Sequence, residues 1–313
     1  MTRNAICVTG LRKAFGDKQV LDGIDLAVPA GSIFSLLGPN GAGKTTTVNI
    51  LSTLIRADAG EIRVAGHSVA DDPNAVRAAI GVTGQFSAVD NLLTATENMI
   101  LMADLCHLPR REGRDRATEL IALFDLGEMA DKTAATLSGG LRRRLDLAMT
   151  LVGRPEVIFL DEPTAGLDPR SRRGMWEIIR GLVADGVTIL LTTQYLDEAD
   201  RLADRIAVLD GGRLVAQGTP DELKQLVPGG HIELRFTSAA ELDTATLALG
   251  AAGDPDNLTL QVPSDGRVSS LRALLDRLDD ASIPVDGLTV HTPDLDDVFL
   301  ALTGRDSAKE ALR

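Results

Sequence analysis

The sequence predicts an α/β fold followed by a small C-terminal α+β domain, and three observations carry that prediction. Residues 157–161 and 187–192 are short, unbroken apolar runs, the pattern of strands covered on both faces in a parallel sheet. Residues 32–37, Ser-Ile-Phe-Ser-Leu-Leu, read as a third buried strand that runs straight into a glycine-rich loop and then a helix over 45–54. Beyond Val227-Pro228-Gly229-Gly230, a linker by composition, strand-like and helix-like segments alternate on a smaller scale.

The elements follow in order. Residues 5–9 and 20–28 alternate apolar and polar, as paired antiparallel strands do, with Gly16-Asp17-Lys18 as a turn between them. Residues 60–69 read as another short hairpin. From about 94 to 137 the pattern is helical, with Leu120, Leu123 and Phe124 at helical spacing. Residues 206–210 and 213–216 flank Gly211-Gly212 as a hairpin with a two-residue turn. After the linker, strands are expected at 231–236, 258–262 and 287–291, and helices at 239–249, 268–279 and 294–302. The expected domains are therefore 1–227 and 231–313. Leu295, Val298, Phe299 and Leu302 share one face of the last helix, which needs cover from its own domain or from a second chain.

A chain of 313 residues, 44% hydrophobic, is long enough for one large domain and a small one. No apolar run approaches the ~18 residues of a membrane span. The N-terminus, Met-Thr-Arg-Asn-Ala-Ile-Cys, lacks the apolar core of a secretory signal. A cytoplasmic protein without direct membrane insertion is expected. The net charge of −13 disfavours nucleic acid and anionic lipid as direct partners. Residues 231–313 hold 15 acidic and 7 basic residues, a net of −8. The two cysteines, Cys7 and Cys106, have no metal-ligand spacing and are expected as reduced, buried thiols.

Residues 38–45, Gly38-Pro39-Asn40-Gly41-Ala42-Gly43-Lys44-Thr45, fit G-x-x-x-x-G-K-[ST] between a strand and a helix, the context that motif requires. Glycines let backbone N–H groups converge on phosphate oxygens, and a helix N-terminus adds favourable partial charge. In this reading Lys44 reaches the β- and γ-phosphates of a nucleotide and the Thr45 hydroxyl ligates Mg²⁺, with Thr46 beside them. The plain alternative is a turn carrying an exposed lysine. The strand 157–160 delivers Asp161, a Mg²⁺ ligand, and Glu162, placed to polarise an attacking water. Alone, those two are as easily solvated acids at a strand end; with the glycine-rich loop they are not. Ser138-Gly139-Gly140 opens a helix bearing Arg142, Arg143 and Arg144, and its backbone donors suit a γ-phosphate. The arginines themselves oppose the helix dipole and read as a solvated face or as partners of acids elsewhere.

Leu137-Ser138-Gly139-Gly140, lying just before the strand that ends in Asp161 and Glu162, resembles the signature of the ATP-binding cassette (ABC) ATPases. The resemblance covers nearly the whole chain. Gln85 resembles the Q-loop glutamine that ligates Mg²⁺ and senses the membrane partner. Asp168, in Ala165-Gly166-Leu167-Asp168, resembles the D-loop at the subunit contact. Phe15 stands where the family places an aromatic against adenine, although an ordinary core phenylalanine explains it as well. Gln194 departs from the pattern, since most members have histidine there. Gln donates a hydrogen bond but does not titrate. The run Thr192-Thr193-Gln194-Tyr195-Leu196-Asp197-Glu198-Ala199-Asp200, the stretch 137–148 and the C-terminal 295–303 look like the daunorubicin/doxorubicin-resistance exporter branch.

That resemblance implies an ABC-type P-loop nucleotide-binding domain: a mixed-sheet core, an antiparallel β subdomain and a helical subdomain near 86–155. It implies ATP hydrolysis with Mg²⁺ in a homodimer formed in the ATP-bound state, each ATP held between residues 38–45 of one chain and 138–140 of the other. It implies an integral-membrane permease docking near Gln85 and the helices after it, and hence a peripheral place on the cytoplasmic face of a bacterial membrane. The cargo so implied is an amphiphilic drug, antibiotic or lipid, and 231–313 becomes a regulatory or interaction domain. The competing readings are a soluble ABC ATPase of DNA repair or translation, a catalytically poor regulatory ATPase, and an importer subunit. The single cassette, the two cysteines and the absence of a basic patch count against the first; intact Lys44, Asp161 and Glu162 count against the second; the C-terminal run counts against the third.

Overall fold

A computed structural model describes residues 3–84, 87–226, 230–264, 267–291 and 293–310. The chain divides into two compact units, 1–220 and 221–313, about seven residues before the boundary expected from composition. Val227, Pro228 and Gly229 of the expected linker lie outside the described residues.

In the first unit, β1 (Asn4–Phe15) and β2 (Lys18–Pro29) form a long antiparallel pair. Gly16, at φ 59, makes the turn in a left-handed conformation that costs glycine little. β3 (Ile33–Leu37) leads to α1 (Lys44–Leu51), which ends three residues earlier than expected. The 60–69 segment supplies β4 (Ala59–Val64) and β5 (His67–Ser68), and β4 also pairs with β1, giving a four-stranded sheet in the order β2-β1-β4-β5.

Then come α2 (Pro73–Ala79) and β6 (Ile80–Thr83), followed by the helices α3 (Ala95–Leu105), α4 (Arg110–Leu123) and α5 (Gly139–Thr150). Thr94 and Glu97 form a reciprocal capping box that fixes where α3 begins. β7 (Val157–Asp161), α6 (Pro169–Ala184), β8 (Thr188–Thr193), α7 (Leu196–Leu202) and the hairpin β9 (Arg205–Asp210) to β10 (Arg213–Gly218) complete the unit. Gly211 and Gly212, both at positive φ, make the hairpin turn. The main sheet runs β10-β9-β3-β8-β7-β6, parallel except for β10.

Every residue of β3, β7 and β8 is buried, which is why apolar residues dominate their sequences, with polar side chains at Ser35, Asp161, Thr188, Thr192 and Thr193. Alternate residues serve two cores. Phe34, Leu36, Val157, Phe159 and Leu190 face the antiparallel sheet and its neighbours. Ile33, Ile158, Leu160, Ile189 and Leu191 face the helices, packing with Met99, Phe124, Leu147, Met175 and Trp176. The sheet thus holds loop ends at its carboxyl edge, where α/β ligand sites form.

Two expectations need correction. Leu123 is 56% exposed, because α4 turns its Leu120 and Ile121 face inward and Phe124 follows at the C-cap. Cys106 is exposed and Cys7 only partly covered: Cys106 is the C-cap of α3, at the surface end of that helix.

The second unit begins within α8 (Pro220–Lys224). It comprises β11 (His231–Arg235), α9 (Ala239–Leu249), β12 (Gly253–Asp254), β13 (Thr259–Pro263), α10 (Val268–Asp280), β14 (Gly287–His291) and α11 (Leu295–Glu310). Its antiparallel sheet runs β12-β13-β11-β14. Ile232, Leu234 and Leu260 pack with Leu242, Ala245, Leu274 and Leu278 of α9 and α10. α11 extends beyond the expected 294–302, with Leu295 and Val298 buried and Phe299 and Leu302 partly covered.

Candidate nucleotide site

The loop between β3 and α1 is shaped by close packing. A Cβ on Gly38 would meet the Leu209 carbonyl oxygen at 2.2 Å, and one on Gly43 would meet Leu21 Cδ2 at 2.6 Å. Gly41 and Gly43 also sit at φ 84 and 109, so both positions demand glycine. Ala42 is buried and its N–H donates to the Pro39 carbonyl at 3.3 Å. The Lys44 side chain is 5% exposed; its Nζ donates to the carbonyls of Gly38 at 2.7 Å and Pro39 at 3.1 Å, and lies 4.0 Å from Glu162 Oε1. It is not the exposed lysine of a plain turn. Burial pushes the Lys44 pKa down, against the pull of the Glu162 and Asp161 carboxylates.

A cavity of 340 Å³ opens over this loop. Asn40, Gly41, Gly43, Lys44, Thr45 and Thr46 line one side, and Asp161 and Glu162 line another. Phe15 stands at its rim, 50% exposed, with Lys13 Nζ 5.3 Å from the ring centroid. It is not a core phenylalanine. Asp161, 4% exposed, accepts a hydrogen bond from Thr192 Oγ1 on the adjacent strand. Glu162 follows at φ 48, an uncommon backbone for a non-glycine residue, held by its N–H donating to the Thr192 carbonyl at 3.1 Å.

Other expected residues stand elsewhere. Ser138 caps α5, its Oγ accepting from the Leu141 N–H at 3.3 Å. Ser138 and Gly139 are exposed, and residues 138–140 are not among the residues lining this cavity. Asp168 caps α6: Oδ1 accepts from the N–H groups of Arg170 and Ser171, and Oδ2 from the Ser171 hydroxyl at 2.6 Å. That hydroxyl bond holds the Asp168 carboxyl below its ordinary range. Gln194 is partly buried on the bend after β8 and does not line the cavity. Gln85 lies outside the described residues.

Arg143, which the sequence offered only as one of three basic residues, is the main structural link at this site. Its Nη2 donates to the Asp161 carbonyl at 3.1 Å, Nε to Pro163 at 3.0 Å and Nη1 to Gly84 at 3.0 Å, while Nη1 pairs with Asp146 Oδ2 at 3.2 Å. The spacing to Asp146, i to i+3 on α5, was the one available signal. Asp146 also accepts from the Ala88 N–H at 3.0 Å. A second buried carboxylate, Glu198, accepts from Thr164 Oγ1 at 2.7 Å and Trp176 Nε1 at 3.2 Å.

Comparison with known proteins decides the family. The model of the ABC transporter family matches residues 21–165. The chain is 49% identical to the daunorubicin resistance ATP-binding protein DrrA3 of Streptomyces coeruleorubidus, across 99% of this chain and 100% of that one. The chain belongs to the ABC transporter ATP-binding proteins. It is 47% identical to the daunorubicin/doxorubicin resistance ATP-binding protein DrrA of Streptomyces peucetius, across 96% and 92% of the two chains. To the Nod factor export ATP-binding protein I of Ralstonia nicotianae it is 38% identical, across 96% and 94%. Among solved structures, an ATP-binding subunit of an ABC transporter superposes with a TM-score of 0.64 at 28% identity, covering 71% of this chain and 92% of that one. A dimeric, post-hydrolysis ATP-binding cassette with ADP and Pi gives 0.62 at 26% identity, covering 68% and 98%.

This ABC protein is thus an ATP-binding subunit and an ATP hydrolase of the cassette type, and a soluble repair or translation ATPase is not favoured. Cassettes of this family bind ATP and ADP, form dimers and work with a transporter. Among the described residues no helix is long and apolar enough to cross a membrane.

Proposed function

We propose that this ATPase powers export of an amphiphilic drug, antibiotic or lipid through a separate membrane permease, held by that permease at the cytoplasmic face of the membrane. The observation that carries the catalytic half is the convergence of Lys44, Asp161 and Glu162 on one cavity above the glycine loop. The names of the relatives, drug resistance and Nod factor export, support the transport half.

Lys44 exchanges its loop carbonyls for β- and γ-phosphate oxygens, while backbone N–H groups of residues 40–46 hold the phosphates and Phe15 at the rim stacks on the base. Glu162 orients the attacking water and takes its proton. The Thr45 hydroxyl and the Asp161 carboxylate, hard oxygen donors on the same cavity, fit Mg²⁺, with Gln85 as a third ligand by resemblance. Bound there, the ion draws charge from the phosphate oxygens. Because Ser138 and Gly139 are exposed and residues 138–140 do not line their own chain's cavity, they act on ATP held by a second copy, with Asp168 at the contact between copies. Gln194 offers a hydrogen bond to the γ-phosphate when the copies close.

Coexpression with a candidate membrane permease tests the whole reading. Lys44→Ala should abolish both ATP turnover and drug efflux, since a lost charged donor costs about 10²–10³ in rate. Undiminished turnover in the variant would show that the loop is not the phosphate site; turnover without any efflux by the wild type would remove the export reading.

A further inference from the structure

Two of the chain's four histidines meet in the second unit. β11 alternates strictly: Ile232 and Leu234 are 1% and 0% exposed in the core, so His231 and Glu233 project from the opposite face of the sheet. β14 pairs with β11 in antiparallel register, His231 opposite His291 and Glu233 opposite Thr289. His291 therefore joins His231 and Glu233 on that open face. The imidazoles stack with centroids 4.6 Å apart and planes 15° from parallel. One ligand-capable atom from each of His231, Glu233 and His291 lies within 4.8 Å of the other two.

We propose that His231, Glu233 and His291 form a binding site for a divalent transition-metal ion, with zinc the natural occupant. The donor set is two imidazole nitrogens and one carboxylate oxygen, which suits zinc, copper or nickel and not magnesium or calcium. Zinc binds such donors at about 2.0–2.2 Å, which places tetrahedral ligands about 3.3–3.5 Å apart. The donor atoms stand within 4.8 Å in the stacked arrangement, so both rings must turn out of their stack for their in-plane lone pairs to share one ion. The backbone beneath is firm: the Ser264 N–H donates to the Gly230 carbonyl at 2.8 Å, and a Cβ on Gly230 would meet the Ser264 carbonyl oxygen at 2.5 Å. Three protein ligands leave a fourth position to water or to a donor from another molecule. None of the three residues belongs to the nucleotide site, so this ion is distinct from Mg²⁺ bound with ATP.

The test uses untagged full-length protein in the Cys106→Ser background, which removes the exposed thiol as a competing ligand. Calorimetric titration with zinc chloride, without nucleotide, should show one site per chain. His231→Thr and His291→Thr, both compatible with a strand, should each weaken it at least about tenfold, and Glu233→Gln should do so too. Far-ultraviolet circular dichroism and thermal unfolding that match the Cys106→Ser parent show that the second unit of these variants folds. Copper(II) bound to the unsubstituted histidine pair should show hyperfine coupling to two nitrogens in its paramagnetic resonance spectrum. Equal zinc affinity and stoichiometry in the double His231→Thr/His291→Thr variant overturns the site, and so does a copper spectrum with oxygen ligands only.

Discussion

The Arg143 guanidinium donates to the backbone carbonyl of Asp161 at 3.1 Å, so the helix that opens with the family signature is tied to the strand end that carries the two acids. The same side chain holds the Gly84 carbonyl, the residue just before Gln85. Arg143 is a positioning residue: it touches backbone, and through backbone it sets where Asp161 and Glu162 point. Arg143→Lys keeps the charge opposite Asp146 but loses the planar fork that reaches three carbonyls. Its kcat should fall while the KM for ATP stays near wild type, because alignment of the acids matters most at the transition state. Arg143→Ala should also lower stability by about 3 kcal/mol, since one partner of a buried pair is removed and Asp146 is left without its cation. Steady-state kinetics with thermal unfolding checks both. Wild-type kcat in the lysine variant would reduce Arg143 to a stabilising residue.

Glu162→Gln should bind ATP and fail to hydrolyse it. The amide keeps the shape of the side chain and loses its basicity. Two copies should then remain closed over ATP, and light scattering with and without nucleotide reads the association. A variant that turns over ATP at the wild-type rate would remove Glu162 as the residue acting on water.

Glu198 gives a pH prediction that is independent of nucleotide. Burial pushes its carboxyl pKa up, opposed by hydrogen bonds from Thr164 and Trp176 and by the nearby Arg172 charge. A carboxyl whose folded value is raised contributes stability that is fully present below the ordinary carboxylate range and is lost as pH rises through the raised value. Glu198→Gln retains an acceptor for Thr164 and Trp176 and has no charge to bury. The Tm of the variant relative to wild type should therefore increase between pH 5 and pH 8. Parallel Tm curves across that range would show that Glu198 is not responsible for any pH dependence.

The sequence made some residues legible and hid others for physical reasons. Gly38, Gly43 and Lys44 were readable because backbone geometry and phosphate chemistry leave few alternatives at those positions, and the contacts of Gly38 and Gly43 show how little space there is. β3, β7 and β8 were readable because burial on both faces leaves an apolar centre in each, such as residues 157–160 and 189–191. Arg143 was not, since Arg142, Arg143 and Arg144 have the same chemistry and only the rotation of α5 decides which one turns inward. Arg142 reaches the Ala134 carbonyl, whereas Arg144 lies 3.8 Å from the exposed Asp125. Cys106 was misread as buried because cysteine usually is, and its place at the end of α3 overrides that preference. His231 and His291 stand 60 residues apart and meet only through strand register.

Gln194 separates hydrogen bonding from proton transfer in the proposed site. Gln194→His should remain active, because both side chains offer a donor. Gln194→Ala should lower kcat with little change in ATP affinity, the pattern of an interaction that strengthens at the transition state. Identical kinetics in wild type and the alanine variant would make Gln194 structural only.

A chain ending at Pro228 should bind ATP as the full chain does, and should fail to confer efflux. Among the described residues, those that line the nucleotide cavity all belong to the first unit, from Phe15 to Glu162. The second unit has its own sheet and its own core of Ile232, Leu234, Leu260 and Leu274, as a domain that folds by itself does. The surplus acid of 231–313 repels anionic lipid, and this points to a protein contact as its role in transport, with the same domain of a second chain favoured. Nucleotide affinity by fluorescence titration and efflux in cells at matched protein level read the two halves separately. Full efflux from the shortened chain would show that the second unit is not required, whatever it binds.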